Sequence, residues 1–359
     1  MPRTVRRTRA AGVGIGIGAV VLALAAAAPA STAAGPPAAP PLSRPRIVTH
    51  LDFAAGQTPE NIALEPDGAA DLTFAFARQV ARVSPKGRTE VLATLPAVGH
   101  PSTPVGAAVT TGLVRTGDGT LYVVYVTGTE AENGIWRLTP DGRLSHFAAL
   151  PPQGFANGLA LDEEHGVLYA ADSVLGAVWR VTLDRAEVTR WATGPELDRT
   201  AFIGANGIKV HRGAVWVSNY DRGTLLRIPV TRDGGAGPAA VRAGGLTTVD
   251  DFAFNGPGDT VLAALSGTGE LALVRPDGTH TVVLTARDGL SNPTSVAVRG
   301  HKVYVPSAAF VTGQDPNLLT ARQDERHRGP GTSAQHDPPG RGRPSGHELP
   351  GFERPEHHR

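Results

Sequence analysis

The sequence has 359 residues, of which 34 are basic and 33 are acidic, so the net charge at pH 7 is +1. This balance presents no large field of one sign and does not indicate nucleic acid or an acidic substrate as a partner. Cysteine is absent, which excludes disulfides, thiolate metal sites and a cysteine nucleophile. The 44 glycines and 30 prolines are typical of many short strands joined by turns.

The N-terminal segment, residues 1–30, is predicted to be a secretory signal peptide. Several arginines precede an apolar run from Ala11 to Ala28, and Ala28-Pro29-Ala30 matches a small-residue cleavage pattern. A membrane anchor is the less favoured alternative because much of the run is alanine and glycine, and general secretion and twin-arginine export both stay open. Residues 31–45 are expected to form a flexible leader. We therefore expect a secreted protein with no membrane association after cleavage.

A short phrase recurs six times beyond this leader: a polar residue, a spacer, and apolar residues at the second and fourth places after the polar one. The spacings between copies are 51, 46, 49, 44 and 44 residues, which indicates one structural unit repeated. We call the six polar positions the leading column. Its members are Glu60, Thr111, Asn157, Asn206, Asp250 and Thr294.

Each repeat contains four short apolar or alternating runs separated by turn residues. In the third repeat the runs begin at Gly158, Val167, Ala177 and Val188, and several repeats carry Pro-Asp-Gly or Pro-Lys-Gly turns. Six units of four antiparallel strands predict an all-β fold, a six-bladed β-propeller over residues 46–323. A β-sandwich, or two of them, is the alternative, but neither explains the regular repeat.

The two ends of the repeat region have distinct predicted roles. An alternating run at 46–53 has no repeat of its own and is expected to supply the outer strand of the last blade, closing the ring. Residues 324–359 are rich in Pro, Gly, Arg, Glu and His and are predicted to form a disordered tail. Metal binding by the histidines of this tail is the alternative.

The leading column predicts a metal site. In a propeller the first strand of each blade lies beside the central channel, so residues at the same phase converge at one mouth. Glu60, Asn157, Asn206 and Asp250 would form an oxygen-only set with two carboxylates, which suits one Ca²⁺ ion better than Zn²⁺. The Asn-Gly pairs alone are also typical of turns, but a turn does not explain two carboxylates directed into a narrow channel.

The column resembles that of the calcium-dependent six-bladed propellers: the gluconolactonase/regucalcin-like proteins and the related paraoxonases and diisopropyl fluorophosphatase. The resemblance rests on the column and on the stretches 157–162 and 168–173, and it covers residues 46–323. It implies that Glu60, Asn157, Asn206 and Asp250 hold a catalytic calcium. The doubled Asp250-Asp251 is similar to paraoxonases, in which the second residue also approaches the metal.

The chain departs from that pattern in its histidines. Where paraoxonases have a catalytic histidine this chain has Thr111, and where some relatives have another it has Thr294. We therefore hypothesise a lactone or ester hydrolase that acts as a monomer on a small molecule, in which Asp251 is the first candidate for the general base and His100 the second. The predicted substrate-binding residues are Arg78, Thr111, Arg199, Tyr220 and Thr294. The alternative is a non-catalytic ligand- or protein-binding propeller with a structural calcium ion.

Overall fold

The short apolar runs of the repeats form strands in the computed structural model, which describes residues 41–323. Within these residues the strands form six sheets, each of four antiparallel strands. The inner strands of neighbouring sheets contact one another in chain order, and the last contacts the first. The predicted six-bladed β-propeller is therefore confirmed.

The first three blades run from the inner strand outwards in chain order. Blade one contains β2 (Pro59–Leu64), β3 (Ala70–Phe74), β4 (Gln79–Val83) and β5 (Thr89–Thr94). Blade two contains β6 (Val109–Arg115), β7 (Leu121–Val126), β8 (Gly134–Leu138) and β9 (Leu144–Ala149). Blade three contains β10 (Ala156–Asp162), β11 (Val167–Asp172), β12 (Ala177–Thr182) and β13 (Val188–Thr193).

The other three blades follow the same plan. Blade four contains β14 (Ala205–His211), β15 (Ala214–Asn219), β16 (Thr224–Pro229) and β17 (Ala240–Ala243). Blade five contains β18 (Val249–Phe254), β19 (Val261–Leu265), β20 (Glu270–Val274) and β21 (His280–Leu284), followed by a 3₁₀ turn at Ala286–Asp288. Blade six contains β22 (Ala297–Arg299), β23 (Lys302–Ser307), β24 (Asn317–Gln323) and β1 (Leu42–His50).

Strand β1 closes the ring. It pairs antiparallel with β24, from Leu42 opposite Gln323 to His50 opposite Asn317. The strand begins four residues before the predicted start and ends before the predicted end at residue 53. Leu42 is only 4% exposed and packs among the apolar residues of blades five and six, which explains why residues 42–45 belong to the sheet rather than to a leader.

The core lies between the blades. The described residues contain six apolar clusters, one at each interface between neighbouring blades. In blades one to five the second strand is buried along its whole length, as in Leu121–Val126, because neighbouring blades cover both of its faces. This burial supplies the stabilisation that a chain without cysteine cannot obtain from disulfides.

Each inner strand carries one extra residue relative to its partner. In blade five, for example, Val249 pairs with Leu265 whereas Phe252 pairs with Ala263, so three steps along β18 match two along β19. The same irregularity occurs in the other blades, including the sixth, where a bridge between Pro293 and Ser307 precedes the ladder of β22. The leading column therefore lies in a ring of β-bulges, which re-aim side chains.

The remaining predictions about the chain ends concern residues outside the described range. The predicted signal peptide (1–30), most of the predicted leader and the predicted tail (324–359) lie there, so they stay predictions. In residues 41–323 no helix is long and apolar enough to cross a membrane.

Candidate metal centre and its cavity

The bulges direct five of the six leading-column side chains into one cavity at a mouth of the channel. The cavity has a volume of about 510 Å³. The column residues that line it are Glu60, Thr111, Asn157, Asn206 and Asp250, each from a different blade. Four of these are the predicted metal ligands, so the structure brings that set together.

Glycines after the column residues allow the inner strands to approach the axis closely. A Cβ on Gly112 would lie 2.6 Å from the carbonyl oxygen of Asn157, and a Cβ on Gly158 would lie 2.9 Å from the amide nitrogen of Ile208. The Asn-Gly pairs are therefore strand residues in bulges, and the alternative of simple turns is wrong. Their glycines are required by close backbone approach.

Several polar atoms of the four-residue set have no partner although they are buried. Glu60 is 8% exposed and Asn206 only 1%. The Oε2 atom of Glu60 and both amide atoms of Asn206 make no hydrogen bond. Burying such atoms without a partner costs about 1–3 kcal/mol each, so their arrangement fits a site completed by an ion.

The two carboxylates of the set lack a compensating positive charge. Burial, reinforced by the charge of Asp251, raises the pKa of Glu60 to about 8. Burial and then repulsion from Glu60 and Asp251 raise the pKa of Asp250 well above its ordinary value. No lysine, arginine or histidine lines the cavity. A bound cation would relieve this repulsion, and an oxygen-only set suits a hard divalent ion.

Clusters richer in acidic or histidine side chains do not occur elsewhere in the described chain. Within residues 41–323 no group of three or more His, Cys, Asp or Glu side chains is placed to hold a metal ion. The predicted set differs from such a cluster because it combines two carboxylates with two carboxamides. The two carboxylates, Glu60 and Asp250, would supply the negative charge that holds a metal ion there.

Asp251, the first candidate for the general base, does not face this cavity. Lys209 Nζ donates to both of its carboxylate oxygens at 2.6 Å, Asn61 Nδ2 donates at 3.1 Å and Ser295 Oγ at 2.8 Å. Asn61 and Lys209 line a second cavity of about 490 Å³ at the other side of the channel. The carboxylate of Asp251 is thus engaged by three side chains away from this cavity, and this arrangement does not favour Asp251 as the general base.

The other predicted residues divide into two groups. Thr111 and Tyr220 line the cavity, and the hydroxyl of Thr111 donates to the carbonyl of Ala156 at 3.0 Å. His100 and Arg199 are exposed and lie outside the lining, although Val105 and Phe202 of the same two loops belong to it.

Arg78 and Thr294 also lie outside the lining of the cavity. Arg78 is half-buried, and its positive charge acts on Tyr125. Thr294 is fully buried, and its hydroxyl donates to the carbonyl of Pro59 at 2.8 Å, joining blades six and one. Neither side chain is therefore placed to touch a substrate.

Two groups of residues were missed from the sequence. The first is the group of side chains that contact Asp251. Asn61, Asp251 and Ser295 all occupy the spacer position of the repeat, where the other three copies have glycine. Polar residues at a position that is otherwise glycine are the signal that could have identified this group. The second is the apolar upper wall of the cavity. Its residues lie in loops whose lengths differ from blade to blade, so the repeat gives no signal for them.

Comparison with known proteins supports the fold. No family model matches the sequence, and no curated protein matches it. A calcium-binding regucalcin from Agrobacterium tumefaciens str. C58 superposes with a TM-score of 0.59 at 17% identity, covering 79% of this chain and 96% of that one. A gluconolactonase from Xanthomonas campestris superposes with a TM-score of 0.56 at 16% identity, covering 80% and 98%.

A third similar structure is a virginiamycin B lyase from Staphylococcus aureus, with a TM-score of 0.53, 16% identity, and coverage of 75% of this chain and 82% of that one. At sequence identities this low, the superpositions show a shared fold alone, and activity has to be argued from the site. The chain therefore has the propeller fold of the gluconolactonase- and regucalcin-like proteins, as its leading column predicted.

Proposed function

We propose that this protein is a calcium-dependent hydrolase of lactone or ester substrates, with Glu60, Asn157, Asn206 and Asp250 holding one ion. The observation that carries the proposal is the convergence of these four side chains, from four blades, on one cavity with buried oxygen atoms that lack partners. A bound calcium ion would supply Lewis-acid polarisation of the substrate carbonyl. The gluconolactonase and calcium-binding regucalcin among the similar structures support this choice.

The chain itself would position the substrate and accept a proton. Burial and the nearby charges of Asp250, Asp221 and Glu60 raise the pKa of Tyr220, so its phenol stays protonated at neutral pH and can donate a hydrogen bond. With Asp251 engaged by Lys209, the carboxylates that line the cavity are Glu60 and Asp250. One of these two would take the proton of the attacking water.

Tyr220→Phe separates catalysis from metal binding. We expect its kcat to fall about tenfold because the mutant loses one hydrogen-bond donor, worth about 1–1.5 kcal/mol, at the reacting carbonyl. Calcium affinity, measured by calorimetry, should be unchanged because the ion set is intact. An unchanged kcat would contradict the role assigned to Tyr220.

The direct test of the function combines calcium titration with hydrolysis assays. Calorimetry should show one calcium site per chain, and a panel of lactones and esters should be hydrolysed with calcium and not after chelation. Failure of calcium to bind would overturn the site. Binding of calcium without turnover of any lactone or ester would overturn the hydrolase.

A second candidate function is a ligand-binding propeller whose calcium ion is structural. The observation that favours it is the absence of histidine from the lining of the cavity, together with the engagement of Asp251. This protein would bind calcium and a small molecule and would return the ligand unchanged. Product analysis after prolonged incubation distinguishes it from the hydrolase.

The cellular context is part of the proposal. Export through the N-terminal segment 1–30 would place the protein outside the cell, where calcium is abundant enough to occupy a site of moderate affinity. Cleavage of that segment is tested by N-terminal sequencing of protein recovered from the medium. A monomeric state in solution is expected and is tested by light scattering.

A further inference from the structure

An unusual share of the exposed apolar surface surrounds the candidate metal centre. Eight large hydrophobic side chains are exposed in residues 41–323, and five of them line the cavity above the metal set. We call these five residues the apolar collar. They are Phe53, Phe76, Phe202, Phe310 and Val311, with exposed fractions of 39, 40, 48, 38 and 71%.

The other three exposed side chains are scattered on outer strands. Val91, Val241 and Val282 lie on the outer strands β5, β17 and β21 of blades one, four and five, and none of them lines the cavity. Isolated exposed apolar residues are normal on protein surfaces, whereas a contiguous group around a concave site indicates a binding surface. The collar is therefore the feature that requires an explanation.

One side of the collar is fixed by the carboxylate of Asp221. Its oxygens accept hydrogen bonds from four consecutive backbone N–H groups, including those of Phe202 and Ile203 at 3.2 and 3.3 Å. These backbone donors hold the pKa of Asp221 below its usual range although burial acts in the opposite sense. Phe202 is thus exposed on a loop whose backbone is held in place by hydrogen bonds to Asp221.

The opposite side of the collar is fixed in the same way. The Oδ1 atom of Asn292 accepts hydrogen bonds from the backbone N–H groups of Val311 and Thr312 at 2.9 and 3.0 Å. The rings of Phe76 and Phe310 meet edge to face, with centroids 5.8 Å apart. A surface held in its exposed state pays less ordering entropy when a ligand binds.

The polar groups that line the cavity restrict further the class of ligand that it can bind. The charged groups of its lining are the carboxylates of Glu60 and Asp250, and no basic side chain is among them. A carboxylate or phosphate on the ligand would have no cation of the protein to meet. Beyond the metal set the lining offers the hydroxyls of Thr111, Tyr220 and Ser266, and that of Thr111 is already donated to Ala156. These are too few donors for a polyol.

We propose that the collar selects neutral lactones or esters that carry a bulky apolar, preferably aromatic, substituent and discriminates against sugar lactones. The proposal rests on the proposed function, since it places the carbonyl at the metal set and the substituent against the collar. The cavity volume of about 510 Å³ accommodates such a compact molecule. Displacement of water from five apolar side chains would provide the preference.

The test compares three lactones: γ-phenyl-γ-butyrolactone, unsubstituted γ-butyrolactone and glucono-1,5-lactone. We expect kcat/KM for the phenyl lactone to exceed that for each of the others by at least about tenfold. A Phe202→Ser/Phe310→Ser double variant should lose about tenfold on the phenyl lactone and change less than about twofold on the unsubstituted one. Val282→Ser, an exposed apolar residue outside the collar, is the matched control and should behave as the parent protein.

A second readout keeps this inference separate from the hydrolase proposal. Binding of the non-hydrolysable 5-phenylpyrrolidin-2-one is measured by calorimetry with calcium present, in the parent protein and in the same variants. Weaker binding by about fivefold or more in the collar variant alone supports the collar, even if no lactone is hydrolysed and the hydrolase proposal fails. Equal binding by all variants, or hydrolysis that favours gluconolactone, overturns it.

Discussion

Asp250 and Asp251 are adjacent in one bulge and are both buried, with 6% and 2% exposure, yet their surroundings are opposite. Asp251 receives two short hydrogen bonds from Lys209 and one each from Asn61, Ser295 and the backbone of Phe252. Asp250 faces a cavity with a second carboxylate, Glu60, and no positive side chain. The protein itself supplies the hydrogen-bond donors and the counter-charge for Asp251, whereas Asp250 lacks a counter-charge within the protein.

This difference separates structural from functional use of the same residue type. A buried carboxylate is tolerated when a positive partner and hydrogen bonds replace its hydration. The cluster around Asp251 meets that condition within the chain and joins blades one, four, five and six. The set around Asp250 does not, which is the pattern expected of a site that an ion completes.

The first prediction tests the structural role of Asp251. Asp251→Ala should lower the free energy of unfolding by about 3 kcal/mol because Lys209 then lies in the channel without its counter-charge. Chemical unfolding measures the loss. An Asp251→Ala/Lys209→Met double variant should recover part of it, since the orphaned ammonium is gone. Strictly additive losses would contradict the view that the pair acts as a unit.

The fold and the convergence of the four proposed metal ligands could be predicted from the sequence, because both follow from the repeat. Glu60, Asn157, Asn206 and Asp250 share one phase, and a ring of blades brings equal phases together. The fate of Asp251 did not follow, because it depends on Lys209 from the neighbouring blade and on a bulge that separates consecutive side chains. His100, like the collar, lies in a loop of irregular length, so its position was not readable from the period.

The second prediction tests the role of Asp250 as a calcium ligand. Asp250→Asn should reduce calcium affinity about a hundredfold, equivalent to about 2.7 kcal/mol, because it removes one of two charged oxygen ligands. Without calcium the same variant should be at least as stable as the parent, since it removes repulsion from Glu60. Calorimetry and thermal unfolding measure the two effects. Asp184→Asn, an exposed surface carboxylate, is the control, and an equal loss of affinity there would refute the assignment.

The third prediction tests the close approach of β14, at Gly207, to the two aspartates of β18. A Cβ at position 207 would lie 2.6 Å from the Cα of Asp251 and 2.7 Å from the carbonyl oxygen of Asp250. Gly207→Ala should therefore cost about 2 kcal/mol of stability by overpacking and should weaken calcium binding. Gly244→Ala meets no atom within 4 Å and should change neither property. A neutral Gly207→Ala would show that the strands can separate without harm.

The last prediction sharpens the comparison through pH. Without calcium, the folded-state pKa of Glu60 is about 8, against an ordinary value of 4.5. Below about pH 4.5 Glu60 is protonated in both states and adds no pH dependence. Between 4.5 and 8 the folded protein keeps a proton that the unfolded chain has lost, so stability falls as pH rises, by at most about 1.4 kcal/mol per pH unit.

Calcium should reverse this trend, because binding displaces the proton and becomes tighter as pH rises through the same range. Thermal unfolding from pH 5 to 8, with calcium and with chelator, measures both slopes. Glu60→Gln should reduce the slope in chelator and leave the part due to Asp250, whose pKa burial also raises, whereas Asp184→Asn should keep the full slope. If Glu60→Gln kept the full slope, the pH dependence would arise elsewhere and the charge shortage at Glu60 would not be its cause. A reduced slope would show that the charge shortage at this mouth is the property that calcium relieves.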